Sequence, residues 1–181
     1  LEVRNPANGE LVATTWQGGP DQLERATEAA VAAFEKTRRL ASFERRDALQ
    51  HVADCIARDA DELAELLTRE SGKPIRDARG EVARGSLTFR TAAEEALRIN
   101  GEWVPLDWTA ANRGRSGIVR RYPIGPGAGI SPFNFPLILA AHTAAPAIAA
   151  GCSIVLKAPS QDPLEMLRVA EYPAETPLPA G

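Results

Sequence analysis

The sequence predicts an α/β fold with a helical layer, the start of a parallel sheet and a projecting β ribbon. Three observations predict it. From Pro20 to Ala96 apolar residues recur at three- and four-residue spacing, the period of a helix face. After Asn100-Gly101 two short strand-like segments flank a polar link. Then follow an apolar strand, a helix, a glycine and a second apolar strand. A right-handed crossover lays two such strands side by side and parallel.

The elements follow in order. Leu1 to Val12 reads as an extended entry with a turn at Asn8-Gly9. Pro20-Asp21 opens a helix whose inner face carries Leu23, Ala26, Ala30 and Ala33 or Phe34. Ser42 is expected to cap the next. Leu49, Val52, Ile56, Leu63, Leu66 and Leu67 extend its apolar stripe to about Glu70, with a break near Asp59. Ser71-Gly72 is a stop, and Pro74 suits the first turn of another helix. There Ile75, Ala78, Val82, Phe89, Ala93 and Ala96 are expected to face the core, with Gly80 and Gly85 allowing close approach.

Glu102 to Leu106 and Ser116 to Tyr122 read as an antiparallel hairpin joined by Asp107 to Arg115. Arg113, Arg115, Arg120 and Arg121 keep it exposed, so the 101–122 ribbon is expected to pack on another subunit. Gly127 to Ser131 is the next strand, and a helix runs from Phe135 or Pro136 to Ala149 or Ala150. Ser153 to Lys157 is a strand whose Ile154-Val155-Leu156 core suits a parallel strand covered on both faces. Pro163 opens a last helix with Leu164, Leu167 and Ala170. Tyr172-Pro173 conflicts with its continuation; either the helix stops near Glu171 or the sequence is imperfect there. Two parallel strands do not make a doubly covered sheet, so residues 1–181 are expected to be the amino-terminal part of a longer protein.

The 181 residues carry a net charge of -3 with no charged tail, which argues against nucleic acid as a partner. The uncharged run Leu137 to Leu156 is interrupted by His142, Pro146, Gly151 and Ser153, too polar for a membrane span. Cys55 and Cys152 sit in apolar settings outside any CxxC pair, and with His51 and His142 they match no standard zinc spacing. No metal is expected. Two unpaired cysteines, and no apolar leader in Leu1 to Pro6, suit the cytoplasm.

The chemistry concentrates in two places. Asn134 lies between Phe133 and Phe135, framed by Pro132 and Pro136, at the end of one strand; Lys157 closes the next. At the carboxyl ends of neighbouring parallel strands both would face the crevice where open α/β sheets bind ligands. An amide there can donate to a developing oxyanion, or it can cap the following helix. Lys157 can bind a ligand or simply reach out to water.

The run Ile130-Ser131-Pro132-Phe133-Asn134-Phe135-Pro136-Leu137 resembles the signature of the aldehyde dehydrogenase superfamily. Ala141-His142, Ala145-Pro146-Ala147, Ala149-Ala150-Gly151, Val155-Leu156-Lys157 and Leu178-Pro179-Ala180-Gly181 continue the match. Upstream, Asn5 to Glu10, Glu70 to Pro74 and Ala92 to Glu95 also fit. The resemblance covers essentially the whole chain.

It implies that 1–181 is an incomplete Rossmann-like cofactor-binding domain, with the catalytic domain absent from this chain, and that the reaction is oxidation of a small-molecule aldehyde to a carboxylic acid with NAD or NADP. The reaction runs through a thiohemiacetal and thioester on a Cys beyond residue 181, in a homodimer or homotetramer. Asn134 would hold the oxyanion. Ile130, Ser131, Pro132, Phe133, Lys157, Pro159 and Ser160 would line the cofactor. Ser160 stands where NAD-preferring members often carry Glu, so a 2'-phosphate would meet no like charge.

The chain also departs from the pattern. Neither Cys55 nor Cys152 is at the nucleophile position, and no general-base Glu is identifiable. Lys157-Ala158-Pro159 exchanges the usual Pro-Ala order. The fragment alone is therefore expected to be inactive. The competing reading is a non-catalytic nucleotide-binding or structural module, complete at 181 residues.

Overall fold

The computed structural model describes residues 1–179. Of the expected closing loop Leu178 to Gly181, Ala180 and Gly181 lie outside the described residues. Glu2–Arg4 (β1) and Leu11–Thr14 (β2) pair antiparallel, and the turn between them uses Gly9 at φ 76°. Four helices follow: α1 (Pro20–Thr37), α2 (Ser42–Arg58), α3 (Ala60–Ser71) and α4 (Ile75–Ala96). Glu102–Pro105 (β3) and Ser116–Val119 (β4) form the antiparallel ribbon. Gly127–Ile130 (β5), α5 (Pro136–Ala149) and Ile154–Lys157 (β6) make a strand–helix–strand unit whose strands pair parallel. A short α6 (Leu164–Val169) and a 3-10 turn (Tyr172–Glu175) complete it. This is the expected mixed α/β architecture.

The core lies among α2, α3, α4 and α5. Leu49, Val52 and Ile56 meet Leu63 and Leu67, Val82 and Phe89, and Leu137 and Ala141. Those of α2, α3 and α4 are residues that the helical period marks. The α4–α5 contact depends on Gly85, because a Cβ there would sit 2.8 Å from Leu137 Cδ2. Gly80, by contrast, faces open space. The break near Asp59 separates α2 from α3, and α3 ends at Gly72 in the left-handed conformation (φ 74°), which a residue with a Cβ adopts only at a cost.

Several local expectations are corrected. Ser42 is the first helical residue rather than the cap. The cap position falls on Ala41, whose N–H donates to Glu44 Oε2 at 2.7 Å. That carboxylate satisfies the Ala41 N–H, and no side chain caps the first turn. Leu23 and Ile75 are exposed, as is Leu167 of α6. The buried face of α6 instead carries Glu165, Met166 and Val169. Ile154, Val155 and Leu156 are only half-buried in a two-stranded sheet.

Tyr172-Pro173 breaks no helix, since α6 ends at Val169 and Pro173 falls in the 3-10 turn. The Tyr172 ring is buried and its hydroxyl donates to Asp59 Oδ2 at 2.8 Å, at the α2–α3 junction. Among the described residues no helix is long and apolar enough to cross a membrane.

Candidate functional site

The crossover brings the two singled-out segments together. In the β5–β6 register Ile130 stands opposite Lys157, and the ladder continues as the Ser131 N–H donates to the Lys157 carbonyl at 3.1 Å. The loop 132–135 therefore starts from the carboxyl edge of the sheet, where ligands meet parallel strands. Lys157 is exposed; its ammonium donates to the Ala158 carbonyl at 3.0 Å and lies 3.5 Å from Ser160 Oγ. It makes no ion pair with a carboxylate among the described residues. Pro159 is buried beneath, and Ile130 leaves its side chain largely exposed. An ammonium, a hydroxyl and an apolar strand end thus face outward together, a donor set suited to a sugar–phosphate ligand.

The loop that carries Asn134 is held by three residues. The Ser131 hydroxyl donates to the Pro136 carbonyl at 3.0 Å, closing the loop on itself out of solvent. The Leu137 N–H, at the start of α5, donates to Glu81 Oε1 at 3.2 Å. Lys73 pairs with the other Glu81 oxygen, donates to the Asn134 carbonyl at 3.0 Å, and lies 4.2 Å from the Phe135 ring centroid. The Asn134 side chain is exposed and makes no hydrogen bond among the described residues. It does not cap α5: the cap position is Phe135, with no side-chain bond to the helix end. The backbone of the loop is thus fixed, and the Asn134 amide is left free to donate to a ligand.

Neither Lys73 nor Glu81 stands out in the sequence: Lys73 lies in a helix junction, and Glu81 sits between core positions of α4. A signal was present. Glu81 precedes Val82 on the buried face, and a carboxylate there demands a partner.

Behind the loop lies an acidic group. Glu70, Glu81, Asp162 and Glu165 are all buried. Glu70 accepts the N–H groups of Leu164 and Glu165 at 2.7 and 2.9 Å, anchoring the start of α6. Burial nonetheless pushes its carboxyl up to about 7, against those two donors. Burial raises Asp162 to about 6, with the Lys73 charge pulling the other way. Glu165 rises well above the usual carboxylate range through burial and the neighbouring Glu81 and Glu70 charges. Neither of its oxygens has a hydrogen-bond partner among the described residues. A cleft of ≈ 1050 Å³ opens between this region and the loop, lined by Arg84, Phe133, Asn134 and Ser160 among others.

The cysteines stand apart. Cys152 precedes β6 at its amino end while Lys157 closes the other, about 16 Å away along an extended chain. Cys55 lies on α2, buried, and burial pushes its thiol up, with Arg58 opposing. A raised thiol is the opposite of an activated nucleophile.

The Aldehyde dehydrogenase family model matches residues 1–181. Glutarate-semialdehyde dehydrogenase of Pseudomonas putida is 38% identical over 181 residues, all of this chain and 37% of that protein. The NADP(+) succinate-semialdehyde dehydrogenase of Escherichia coli is 36% identical over the same span, again 37% of its length. The crystal structure of aldehyde dehydrogenase 21 from Physcomitrella patens, in complex with the reaction product succinate, superposes with a TM-score of 0.95. It is 45% identical, over 99% of this chain and 38% of that one. The chain thus spans little more than a third of these relatives. Its signature run, its crossover and its full-length match agree: the chain belongs to the aldehyde dehydrogenase family.

Proposed function

We propose that the chain supplies part of the cofactor-binding domain of an NAD(P)-dependent enzyme that oxidises an aldehyde to a carboxylic acid. The observation that carries this reading is the β5–β6 edge, where Ile130 and Lys157 stand side by side and the pinned loop presents Asn134. Lys157 and Ser160 would hold the adenosine ribose, with Ile130, Ser131, Pro132, Phe133 and Pro159 forming the bed. The nicotinamide, when bound, accepts the hydride.

The remaining steps belong to protein groups. A thiolate from a cysteine beyond residue 181 adds to the aldehyde carbon. The Asn134 amide N–H donates to the resulting oxyanion, and a neutral donor stabilises that charge without surrendering its proton. Loss of hydride leaves a thioester, which a water activated by a carboxylate outside this chain hydrolyses. Burial of Cys55 and the placement of Cys152 at the far end of β6 support a nucleophile from elsewhere.

Ser160 places no carboxylate beside Lys157, so NADP is acceptable as well as NAD. The name of the Escherichia coli relative points the same way. The relatives named for glutarate and succinate semialdehydes make acid-bearing aldehydes the first substrates to assay. The ribbon exposes Trp103, Ile118 and Tyr122, a surface suited to a second subunit of a homodimer or homotetramer. Two free, buried cysteines fit the cytoplasm.

The test is reduction of NADP or NAD by the native protein supplied with succinate or glutarate semialdehyde. Aldehyde-dependent reduction is expected. Stoichiometric cofactor binding without turnover of any aldehyde would favour the binding-module reading instead.

A further inference from the structure

A second group of reactive side chains lies on α2, away from the loop of Asn134. His51 and Cys55 are four residues apart and share one helix face. Their Nε2 and Sγ atoms are 3.4 Å apart. The turn after α6 brings Glu175 to the same place, with Oε2 3.3 Å from His51 Nε2. All three donor atoms lie within 4.8 Å of one another. The spacing of histidines and cysteines alone gives no hint of this, because the third donor is a carboxylate more than a hundred residues later.

We propose that His51, Cys55 and Glu175 form a site for zinc or a similar borderline divalent cation, which clamps the Tyr172–Glu175 turn to α2.

The distances fit the ion. Tetrahedral zinc with bonds of about 2.0–2.3 Å holds neighbouring ligand atoms about 3.3–3.6 Å apart. Both distances from His51 Nε2 already have that length, and rotation of the exposed Glu175 side chain closes the remaining edge. The donor set also discriminates. An imidazole with a thiolate suits zinc, cobalt or nickel, whereas magnesium and calcium take oxygen ligands. A water would complete four-coordination.

The turn is held in place without the ion. The Tyr172 hydroxyl bonds Asp59, and the Tyr172 ring lies 5.1 Å from the Arg168 guanidinium carbon and 6.0 Å from that of Arg58. Ordering is therefore needed only for the Glu175 side chain. Binding releases the Cys55 thiol proton to solvent, and the cation then neutralises the thiolate and the Glu175 carboxylate. A plain hydrogen bond and ion pair through His51 would give the same pairwise distances, so the test must see the metal–sulfur bond.

The test is titration of chelator-treated native protein with Co²⁺, followed by competition with Zn²⁺. A thiolate-to-cobalt charge-transfer band with strong tetrahedral visible absorption is expected at one equivalent, lost on adding Zn²⁺. Cys55→Ser should abolish the band. His51→Gln and Glu175→Gln, at partly exposed side chains and with every thiol left in place, should each weaken Co²⁺ binding by at least about tenfold. No band in the wild type would overturn the proposal. So would a band of unchanged affinity in His51→Gln, which would assign the signal to another thiol.

Discussion

Glu81 of α4 accepts the backbone N–H of Leu137 at 3.2 Å, joining the helical layer to the first turn of α5 across 56 positions of sequence. Its other oxygen holds Lys73, which in turn holds the carbonyl of Asn134. One buried ion pair thus positions the loop on which the proposed chemistry depends.

Removing that charge should be costly. Glu81→Gln leaves the Lys73 ammonium without its partner in a mostly buried place, and breaking such a pair costs about 3–5 kcal/mol. Thermal denaturation of the native protein should show the loss. Amide exchange at residues 132–137 should rise, and kcat should fall while cofactor affinity holds. Unchanged exchange in that loop would mean that the pair does not position Asn134.

The acidic group behind the loop predicts a pH dependence. Burial raises the folded-state values of Glu70 and Asp162 to about 7 and about 6, and raises Glu165 well above the usual carboxylate range. A carboxyl raised on folding contributes its stability below its unfolded value, near pH 4, and loses it as pH rises through its folded value. Stability from Glu70 and Asp162 should therefore decline between about pH 4 and pH 7. Glu165→Gln removes the charge but keeps the shape, so it should raise Tm by about 4 °C or more at pH 8. Its effect near pH 5 should be small. Equal changes at both pH values would show that Glu165 is not held neutral by the fold.

Much of this was legible in the sequence, for identifiable reasons. Helix periodicity marks Leu49, Val52, Ile56, Val82 and Phe89 because a packed face repeats every 3.6 residues. The parallel β5–β6 pair follows from the crossover rule. Asn134 and Lys157 could be singled out because polar residues interrupt apolar runs there. Periodicity does not report contacts between distant segments. Glu81 with Leu137, Glu70 with Leu164 and Tyr172 with Asp59 are each set by tertiary approach. For the same reason the helix begins at Ser42, with Glu44 reaching back to Ala41, and α6 buries Glu165 while Leu167 is exposed.

Cofactor choice should respond to position 160. Ser160→Glu places a carboxylate beside Lys157, where it can accept from free ribose hydroxyls but repels a 2'-phosphate. Dissociation constants at fixed ionic strength should show NADP weakened more than NAD. Lys157→Ala should weaken both. Equal effects of Ser160→Glu on the two cofactors would place Ser160 away from the ribose.

The ribbon of β3 and β4 should protect itself through assembly. Its exposed Trp103 and Ile118 should lose amide exchange and solvent access in an oligomer of the native protein. Replacing both with polar residues should shift the oligomer toward monomer in sedimentation. An unchanged mass distribution would remove the ribbon from the subunit contact.

In the proposed reaction the pinned loop presents the Asn134 amide to a developing oxyanion. The most direct measurement is steady-state kinetics of Asn134→Ala in the native protein, with its fold verified by circular dichroism. Loss of one oxyanion donor should lower kcat and kcat/KM by roughly 10²–10³-fold, with the cofactor dissociation constant little changed. A folded Asn134→Ala variant with nearly full kcat would contradict the account.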